Sequence, residues 1–242
     1  MTKKRTLLAV FSHPDDECVV APVLARYARQ GVHVHVVYAT DGQLGVRAGF
    51  GVPAGPQLGA FRRKEAECAS RELGLKSPIF LGLEDASLGA PTSPPGKALR
   101  ELTTKLQQVL DDLGPKAIVT WGPDGGYGHP DHCLVQDAVT QLVQASATPY
   151  RLYYVAFAPE DIKSAKGPFA GFLATDSRYI TVKVRFTDAD LEAAQRSVSC
   201  HASQFSAETI DHLNRFLKVA WSGRVSFRPW FGEYRGDDLF QP

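Results

Sequence analysis

An imidazole and two carboxylates lie within four residues of one another near the start of the chain, as His13, Asp15 and Asp16. They follow the apolar run 7–10, whose length and composition suit a fully buried strand, and Pro14 ends that strand because proline cannot donate to a ladder. Ionisable groups this close, directly after a buried strand, would repel or desolvate one another unless a positive charge lay between them. The segment therefore predicts a divalent metal site.

A second cluster, residues 128–132 (Gly-His-Pro-Asp-His), repeats the His-Pro-Asp arrangement behind the apolar run 117–121. Taken alone, the first cluster is equally well explained as the start of a helix, with acidic residues in its first turn. Two such clusters behind two buried strands are hard to explain by helix capping. The pair therefore favours a shared metal site.

Strands alternate with helices along the chain, which predicts an α/β fold with a doubly wound, mostly parallel, Rossmann-like sheet and right-handed crossovers. In the common order 3-2-1-4-5, strands 1 and 4 are neighbours and their connections leave in opposite directions, which opens a crevice at their carboxyl ends. Both clusters emerge there. We expect a single domain over 1–242, with a core at about 5–205 and a C-terminal extension at about 206–242. The predicted strands are 7–10, 32–38, 78–81, 117–121, 151–156 and 179–184, and the predicted helices are 21–30, 61–73, 98–113, 131–143 and 188–200.

Segments 13–17 and 129–132 resemble the signature pair of the PIG-L/LmbE-like zinc-dependent N-deacetylases, which act on N-acetylglucosamine-type substrates. The similarity runs from the first strand to about residue 205. It implies an LmbE-like fold and a metal-dependent hydrolase that removes an N-acetyl group from a small-molecule amino sugar.

A catalytic zinc takes three protein ligands and leaves one position for water. His13, Asp16 and His132 meet that count, since His13 and Asp16 are three residues apart on one turn. Asp15 is then left to hold the metal-bound water as general base. Zinc is the default ion, and ferrous iron suits the same ligand set.

Amide hydrolysis at such a centre creates an oxyanion, which the metal and a hydrogen-bond donor stabilise. We assign the donor to His129, with Tyr127 as a second candidate; the resemblance places a tyrosine here in the active site of mycothiol-pathway members. Asp131 is suited to hold a histidine by its far nitrogen and to keep His129 protonated. Either Asp15 or His129 then protonates the leaving amine.

The resemblance also implies substrate contacts. Arg62 matches an Arg-x-x-Glu at the head of a helix, and Asp85 matches a sugar-contacting aspartate, although Ala86 stands where a glycine is common. The glycine-rich stretch 42–60 is expected to form a flap beside the pocket; phosphate binding is a weak alternative, because no phosphate-binding glycine motif follows a strand.

Three further residues have two readings each. Asp41, in a Thr-Asp-Gly turn, is a secondary site contact or a turn former. His201 and Gln204 match the family's His-x-Ser-Gln, where they contact substrate or end a helix.

Composition excludes several classes of partner. A net charge of +1 gives no global field for nucleic acid or an anionic membrane. No apolar run is long enough for a membrane span or a signal segment, so we expect a cytoplasmic protein. The four cysteines lack a Cys-x-x-Cys spacing, which favours buried reduced thiols. We expect a Pro-rich surface loop at 89–96, and an aromatic tail, 221–240, that packs on the domain or on a neighbouring subunit of a homo-oligomer.

Other functions share part of this pattern. Two histidines and one carboxylate also form the facial triad of non-haem iron oxygenases, but the spare Asp15 argues for hydrolysis. A metal-dependent amidohydrolase with a non-sugar substrate and a non-catalytic metal-binding module stay open. Within the resembling family, Tyr127 leans towards the thiol-precursor substrates.

Overall fold

Seven strands form one mixed sheet in the computed structural model, which describes residues 5–86, 96–163, 171–232 and 234–241. The loop expected at 89–96 lies almost wholly outside these residues. The strands are β1 (Thr6–Phe11), β2 (His33–Thr40), β3 (Ile79–Leu83), β4 (Ala117–Thr120), β5 (Arg151–Val155), β6 (Val182–Arg185) and β7 (Arg224–Pro229). Their order is β3-β2-β1-β4-β5-β7-β6, so the predicted order of the first five strands is confirmed.

Helices cover both faces of the sheet. They are α1 (Ala21–Arg29), α2 (Pro56–Glu72), α3 (Lys97–Leu113), the short turn α4 (Gly125–Gly128), α5 (Pro130–Ala145), α6 (Pro159–Ile162), α7 (Asp188–Ser199) and α8 (Ala207–Trp221). Helix α2 begins five residues before its predicted start, because Pro56 occupies its first turn, where a missing N–H costs nothing. Among the described helices, none has the length and apolar character that crossing a bilayer requires.

Strand β1 lies in the interior of the sheet, between β2 and β4, and is buried along its whole length. Its side chains alternate between two cores, as the period of a strand dictates. Leu7, Ala9 and Phe11 pack with α1, α7 and α8, whereas Leu8 and Val10 pack with α3 and α5. Burial on both faces explains why this strand reads as a continuous apolar run.

The site is positioned by the neighbouring strands β1 and β4. They pair in parallel, with Leu8 opposite Ile118, and each is followed by a crossover that leads away from the other. Their carboxyl ends are therefore adjacent, and the segments that follow them enter one crevice, as predicted.

The C-terminal region is part of the sheet, which differs from the extension expected after residue 205. Strand β7 lies between β5 and β6 and is antiparallel to both, with Phe227 opposite Val155 on one side and Val182 on the other. The sequence did not predict this strand, because its polar residues and terminal proline weaken the apolar pattern. The final residues pack on the same fold, since the Tyr153 hydroxyl donates to the Leu239 carbonyl at 3.1 Å.

The cysteine prediction is wrong for one pair. Cys68 near the end of α2 and Cys200 after α7 form a disulfide with a Cα–Cα distance of 5.8 Å. They are 132 residues apart, so no local spacing reveals the pairing. Cys18 and Cys133 are free thiols.

Candidate metal and hydrolytic site

The predicted ligands His13, Asp16 and His132 converge at the crevice. His132 Nε2 lies 3.2 Å from Asp16 Oδ1 and 3.3 Å from His13 Nδ1. A tetrahedral zinc with ligands at about 2.0–2.1 Å separates neighbouring ligand atoms by about 3.3 Å. His13 Nδ1 lies 3.8 Å from the other carboxylate oxygen of Asp16, Oδ2, so two of the three spacings match one tetrahedral ion and the third is wider.

The hydrogen bonds on the far side of each imidazole fix which nitrogen is left for a metal. His132 Nδ1 lies 2.9 Å from the Gly125 carbonyl oxygen, which requires a proton on Nδ1 and leaves a lone pair on Nε2. His13 Nε2 lies 3.2 Å from carboxylate oxygens of both Asp131 and Asp85, so its Nδ1 carries the lone pair. Two lone pairs thus face the Asp16 carboxylate, an arrangement that a cation stabilises.

Charge supports the same conclusion. Burial alone would lower the pKa of His13, but hydrogen bonds to Asp131 and Asp85, with the charge of Asp16, raise it to about 10. Burial opposes the charge of Asp16, yet His132 and His13 hold the pKa of this carboxyl below its usual range. The carboxylates around His13 therefore favour a positive charge at this point, which either a proton on Nδ1 or a bound cation in its place would supply.

Asp15 occupies a strained position beside these ligands. Its φ of 113° and ψ of −20° lie in a region that residues other than glycine rarely adopt. Arg62 Nη2 donates to Asp15 Oδ1 at 3.0 Å and also to the Pro14 carbonyl oxygen. Burial raises the pKa of Asp15 to about 6, although the charge of Arg62 opposes the rise.

A buried group supports this strained turn, and sequence reasoning missed it. The Asp15 N–H donates to Glu17 Oε2 at 3.0 Å, and the Tyr38 hydroxyl donates to the same oxygen at 2.8 Å. His201 Nε2 lies 2.6 Å from Glu17 Oε1. Burial opposes both charges, but the attraction between the two side chains lowers the pKa of Glu17 and raises that of His201.

His201 lies just after the end of α7 at Ser199 and is outside the lining of both cavities. Its side chain is fully buried behind the site, where it pairs with Glu17. Because the side chain is buried, this position argues against a direct contact between His201 and the substrate. The family motif was the only sequence signal for His201. It did not indicate the pairing with Glu17, which is 184 positions away.

His129 lies beside the three ligands, and its ring stacks on that of His132 at a centroid distance of 4.5 Å. Its Nδ1 accepts the Asp131 N–H at 3.2 Å, so the proton of the neutral ring sits on Nε2. Burial and the neighbouring histidines lower the pKa of His129. The Asp131 carboxylate lies 3.2 Å from His13 Nε2, and its charge opposes the fall in the pKa of His129 without reversing it.

The turn α4 brings Tyr127 and the Gly125 carbonyl to the site. Gly125 and Gly126 both have positive φ, and a Cβ on Gly126 would lie 2.7 Å from the Trp121 ring. Only glycine fits this conformation and this approach. Tyr127 remains nearly half exposed, with its ring 5.8 Å from that of His129.

Two cavities meet at this centre and share Asp15, Asp16 and Tyr127. The polar cavity has a volume of about 360 Å³ and carries most of the predicted contact residues. The apolar cavity has a volume of about 140 Å³. The remaining lining of the polar cavity is His13, Leu44, Gly45, Arg62, Asp85, Ala86, His129 and Gln204.

Three predicted contacts line the polar cavity but are also held by the protein. Arg62 is almost fully buried, with donors directed at Gly42, Pro14 and Asp15. Asp85 accepts the Leu44 N–H at 2.7 Å, so it links the glycine-rich loop to His13. Gln204 donates to the Gly45 carbonyl at 2.8 Å.

The two remaining positions have local explanations. Asp41 lies outside the cavity lining and pairs with Arg63 at 2.8 Å. Ala86 has a φ of 57°, which explains why a glycine suits this position, and its N–H donates to Asp131 at 3.2 Å.

The sequence matches a single family of proteins, both in a family model and in its relatives. The family model described as PIG-L, GlcNAc-PI de-N-acetylase, matches residues 8–143. A relative from Mycobacteroides abscessus, named 1D-myo-inositol 2-acetamido-2-deoxy-alpha-D-glucopyranoside deacetylase, is 34% identical over 180 residues. The match covers 68% of this chain and 64% of the relative, so the chain spans just under two thirds of that protein's length.

Solved structures share the fold. The N,N'-diacetylchitobiose deacetylase of Pyrococcus horikoshii has a TM-score of 0.70 at 21% identity, covering 93% of this chain and 83% of that chain. The 4-carboxy-2-hydroxymuconate hydratase GalB of Pseudomonas putida KT2440 has a TM-score of 0.66 at 17% identity, covering 95% and 98%. Because a deacetylase and a hydratase share this fold, the chemistry must be argued from the site.

Proposed function

This chain belongs to the PIG-L family, and from that premise we propose that it is a metal-dependent hydrolase that removes the acetyl group from an N-acetylglucosamine conjugate. The observation that carries the proposal is the convergence of two imidazole lone pairs and one carboxylate, with a second carboxylate, Asp15, beside them at the mouth of a polar cavity.

We assign His13, Asp16 and His132 as the metal ligands and zinc as the ion, with ferrous iron as the alternative for this ligand set. When bound, such an ion polarises the amide carbonyl and lowers the pKa of water to about 7. Asp131 and Asp85 hold His13 in the tautomer that ligation requires.

Asp15 is the general base. Its carboxylate is about one-fifth exposed and faces both cavities, so it can reach an attacking water. Burial raises the pKa of Asp15 to about 6, which brings its basicity towards the range that suits proton transfer near neutral pH. Arg62 orients the carboxylate through Oδ1 and leaves Oδ2 for the proton.

His129 stabilises the oxyanion that forms when water adds to the amide carbonyl. Its Nδ1 is occupied by the Asp131 N–H, so the neutral ring presents Nε2–H as a donor. Tyr127, at the junction of the cavities, is the second candidate donor. Because the pKa of His129 is lowered, its neutral form is favoured and it carries no additional proton to donate. Asp15 therefore passes the proton that it accepted from water to the leaving amine.

The polar cavity receives the sugar. Its volume of about 360 Å³ and its lining of carboxylate, guanidinium and amide groups suit a hydroxyl-rich ligand. Gln204 and Asp85 are the proposed substrate contacts, with Arg62 at the base of the cavity. The Mycobacteroides relative is named for a GlcNAc-inositol conjugate, which makes that conjugate the first substrate to test.

The test combines turnover and metal content in one preparation. Acetate release is measured from N-acetylglucosamine, its chito-oligomers and GlcNAc-inositol, with and without a chelator. We expect Asp15→Asn to keep its bound zinc and to lose turnover by about 10²–10⁴-fold, because it removes the base and keeps the ligands.

Two outcomes would overturn the proposal. Unchanged turnover in Asp15→Asn would show that Asp15 is not the general base. Absence of acetate release from every sugar would favour a metal-binding module or an amidohydrolase that acts on non-sugar substrates. Asp41→Asn, outside the cavity lining, is the matched control and should keep both zinc and turnover.

A further inference from the structure

The proposed removal of an acetyl group leaves most of the apolar cavity beside the reaction centre without a ligand group. This cavity shares Asp15, Asp16 and Tyr127 with the polar cavity, so the two cavities adjoin at these residues. Beyond these shared residues its lining is apolar or weakly polar. The lining consists of Cys18, Val19, Trp121, Phe172, Phe205 and Leu213.

The cavity is larger than an acetyl methyl group needs. Its volume is about 140 Å³, whereas a dry protein cavity of about 150 Å³ holds a whole benzene molecule. A methyl group would leave most of this space without van der Waals partners. A group of about six carbons fills it.

An amide has two arms on either side of its reacting carbon. The nitrogen arm carries the sugar, whose hydroxyl groups require the polar cavity. The acyl arm extends from the carbonyl carbon on the side away from the nitrogen. When the sugar occupies the polar cavity, the apolar cavity is the other space that adjoins Asp15 and Asp16, and it is therefore available to the acyl arm. The chemical character of each cavity therefore matches one arm.

We propose that the apolar cavity is an acyl-chain site and that this protein hydrolyses amides of short aliphatic acids, of about four to six carbons, on an amino sugar. The inference rests on the proposed hydrolase function and extends its substrate class. Water adds to the amide carbon, the C–N bond breaks, and the products are the fatty acid and the free amine, with the proton of water transferred to the amine nitrogen.

The first test is an acyl series on glucosamine: acetyl, butanoyl and hexanoyl amides. Each buried methylene can raise kcat/KM up to about fourfold, so we expect the hexanoyl amide to equal or exceed the acetyl amide. Leu213→Phe, which fills the cavity from α8, should lower the hexanoyl-to-acetyl ratio at least tenfold. Val219→Phe is the matched control, because Val219 lies on the same helix, is 70% exposed and does not line the cavity.

The second test measures binding without turnover. By calorimetry, hexanamide should bind the zinc-loaded protein at least tenfold more tightly than acetamide, and Leu213→Phe should remove that preference. Equal binding of the two amides would overturn the inference. It would also be overturned if Leu213→Phe altered selectivity among alkyl glycosides of N-acetylglucosamine and left the acyl ratio unchanged, since the cavity would then hold the aglycone.

The two proposals fail separately. If no amide is hydrolysed, the proposed function is wrong, and the calorimetric preference still decides what the cavity binds. If acetyl amides are hydrolysed but hexanoyl amides react more slowly than acetyl amides, the function stands and the acyl-chain site is wrong.

Discussion

The backbone of Asp15 combines a proposed catalytic role with local strain. A left-handed φ at a residue with a side chain costs about 1–3 kcal/mol and persists only where the surroundings hold it. Glu17 accepts the Asp15 N–H, and Arg62 holds the Pro14 carbonyl oxygen. The position of the base is therefore set by buried charges behind the site.

Glu17→Gln tests this support. The glutamine keeps the size of the side chain but loses the negative charge that pairs with His201. It also has one acceptor oxygen where Glu17 has two, which accept from His201 and from Tyr38. We expect kcat to fall about 10–100-fold with bound metal retained, as for other residues that orient a functional group. Metal content is measured beside kcat. A loss of metal in proportion to kcat would contradict this role, and Tyr38→Phe, which removes one contact only, should have a smaller effect.

Arg62 should control the acidic side of the pH profile. A general base works in its ionised form, so activity rises with pH through the pKa of Asp15, which burial raises and Arg62 lowers. Removal of the guanidinium in Arg62→Gln therefore moves the acidic limb of kcat/KM to higher pH. Arg62→Lys keeps a positive charge and should move it less. An unmoved limb in a folded Arg62→Gln protein would show that Asp15 is not the titrating base.

At the level of elements, Asp190 connects two helices that pack beside the site. Its carboxylate accepts two hydrogen bonds from Arg29 on α1, both at 2.9 Å, and two from Thr187 at the start of α7. Burial opposes the charge of Asp190, but the bonds from Arg29 and Thr187 hold its pKa below the usual value. The connection fixes the helix that leads to His201.

Asp190→Asn should destabilise the protein in a pH-dependent way. A carboxyl whose pKa is lowered by folding stabilises the folded state above its unfolded pKa, and that contribution is lost as the pH falls through the folded value. We expect a loss of about 1–2 kcal/mol at pH 7 that shrinks below about pH 4. Urea unfolding from pH 3 to 7 measures it. Asp188→Asn in the same turn is the control, with a change of a few tenths at most.

The arrangement of strands and helices explains which parts of the fold and of the site could be predicted from the sequence. Two buried strands followed by His-Pro-Asp segments were enough to predict the crevice, because parallel strands place their carboxyl ends at one edge. The disulfide of Cys68 and the pairing of Glu17 with His201 were not predictable, since the partners are 132 and 184 residues apart and no local pattern marks them. The orientation of Asp131 towards His13 likewise depends on packing between elements.

At the scale of the whole molecule, the C-terminal residues belong to the core. Phe227 on β7 is fully buried, whereas Phe231 two residues after that strand is 75% exposed. We expect Phe227→Ala to lower the free energy of unfolding by about 3–5 kcal/mol and Phe231→Ala to leave it within about 0.5 kcal/mol. Denaturant unfolding measures both. Equal effects would contradict the burial of β7 between β5 and β6.

The insertion of β7 between two earlier strands constrains the order of assembly on the ribosome. β6 is synthesised about forty residues before β7, yet it pairs with no other named strand in the described sheet. Its strand partner is therefore absent until β7 has been made. The sheet is therefore completed only after β7 has been made, whereas the strands that precede the reactive residues are made first.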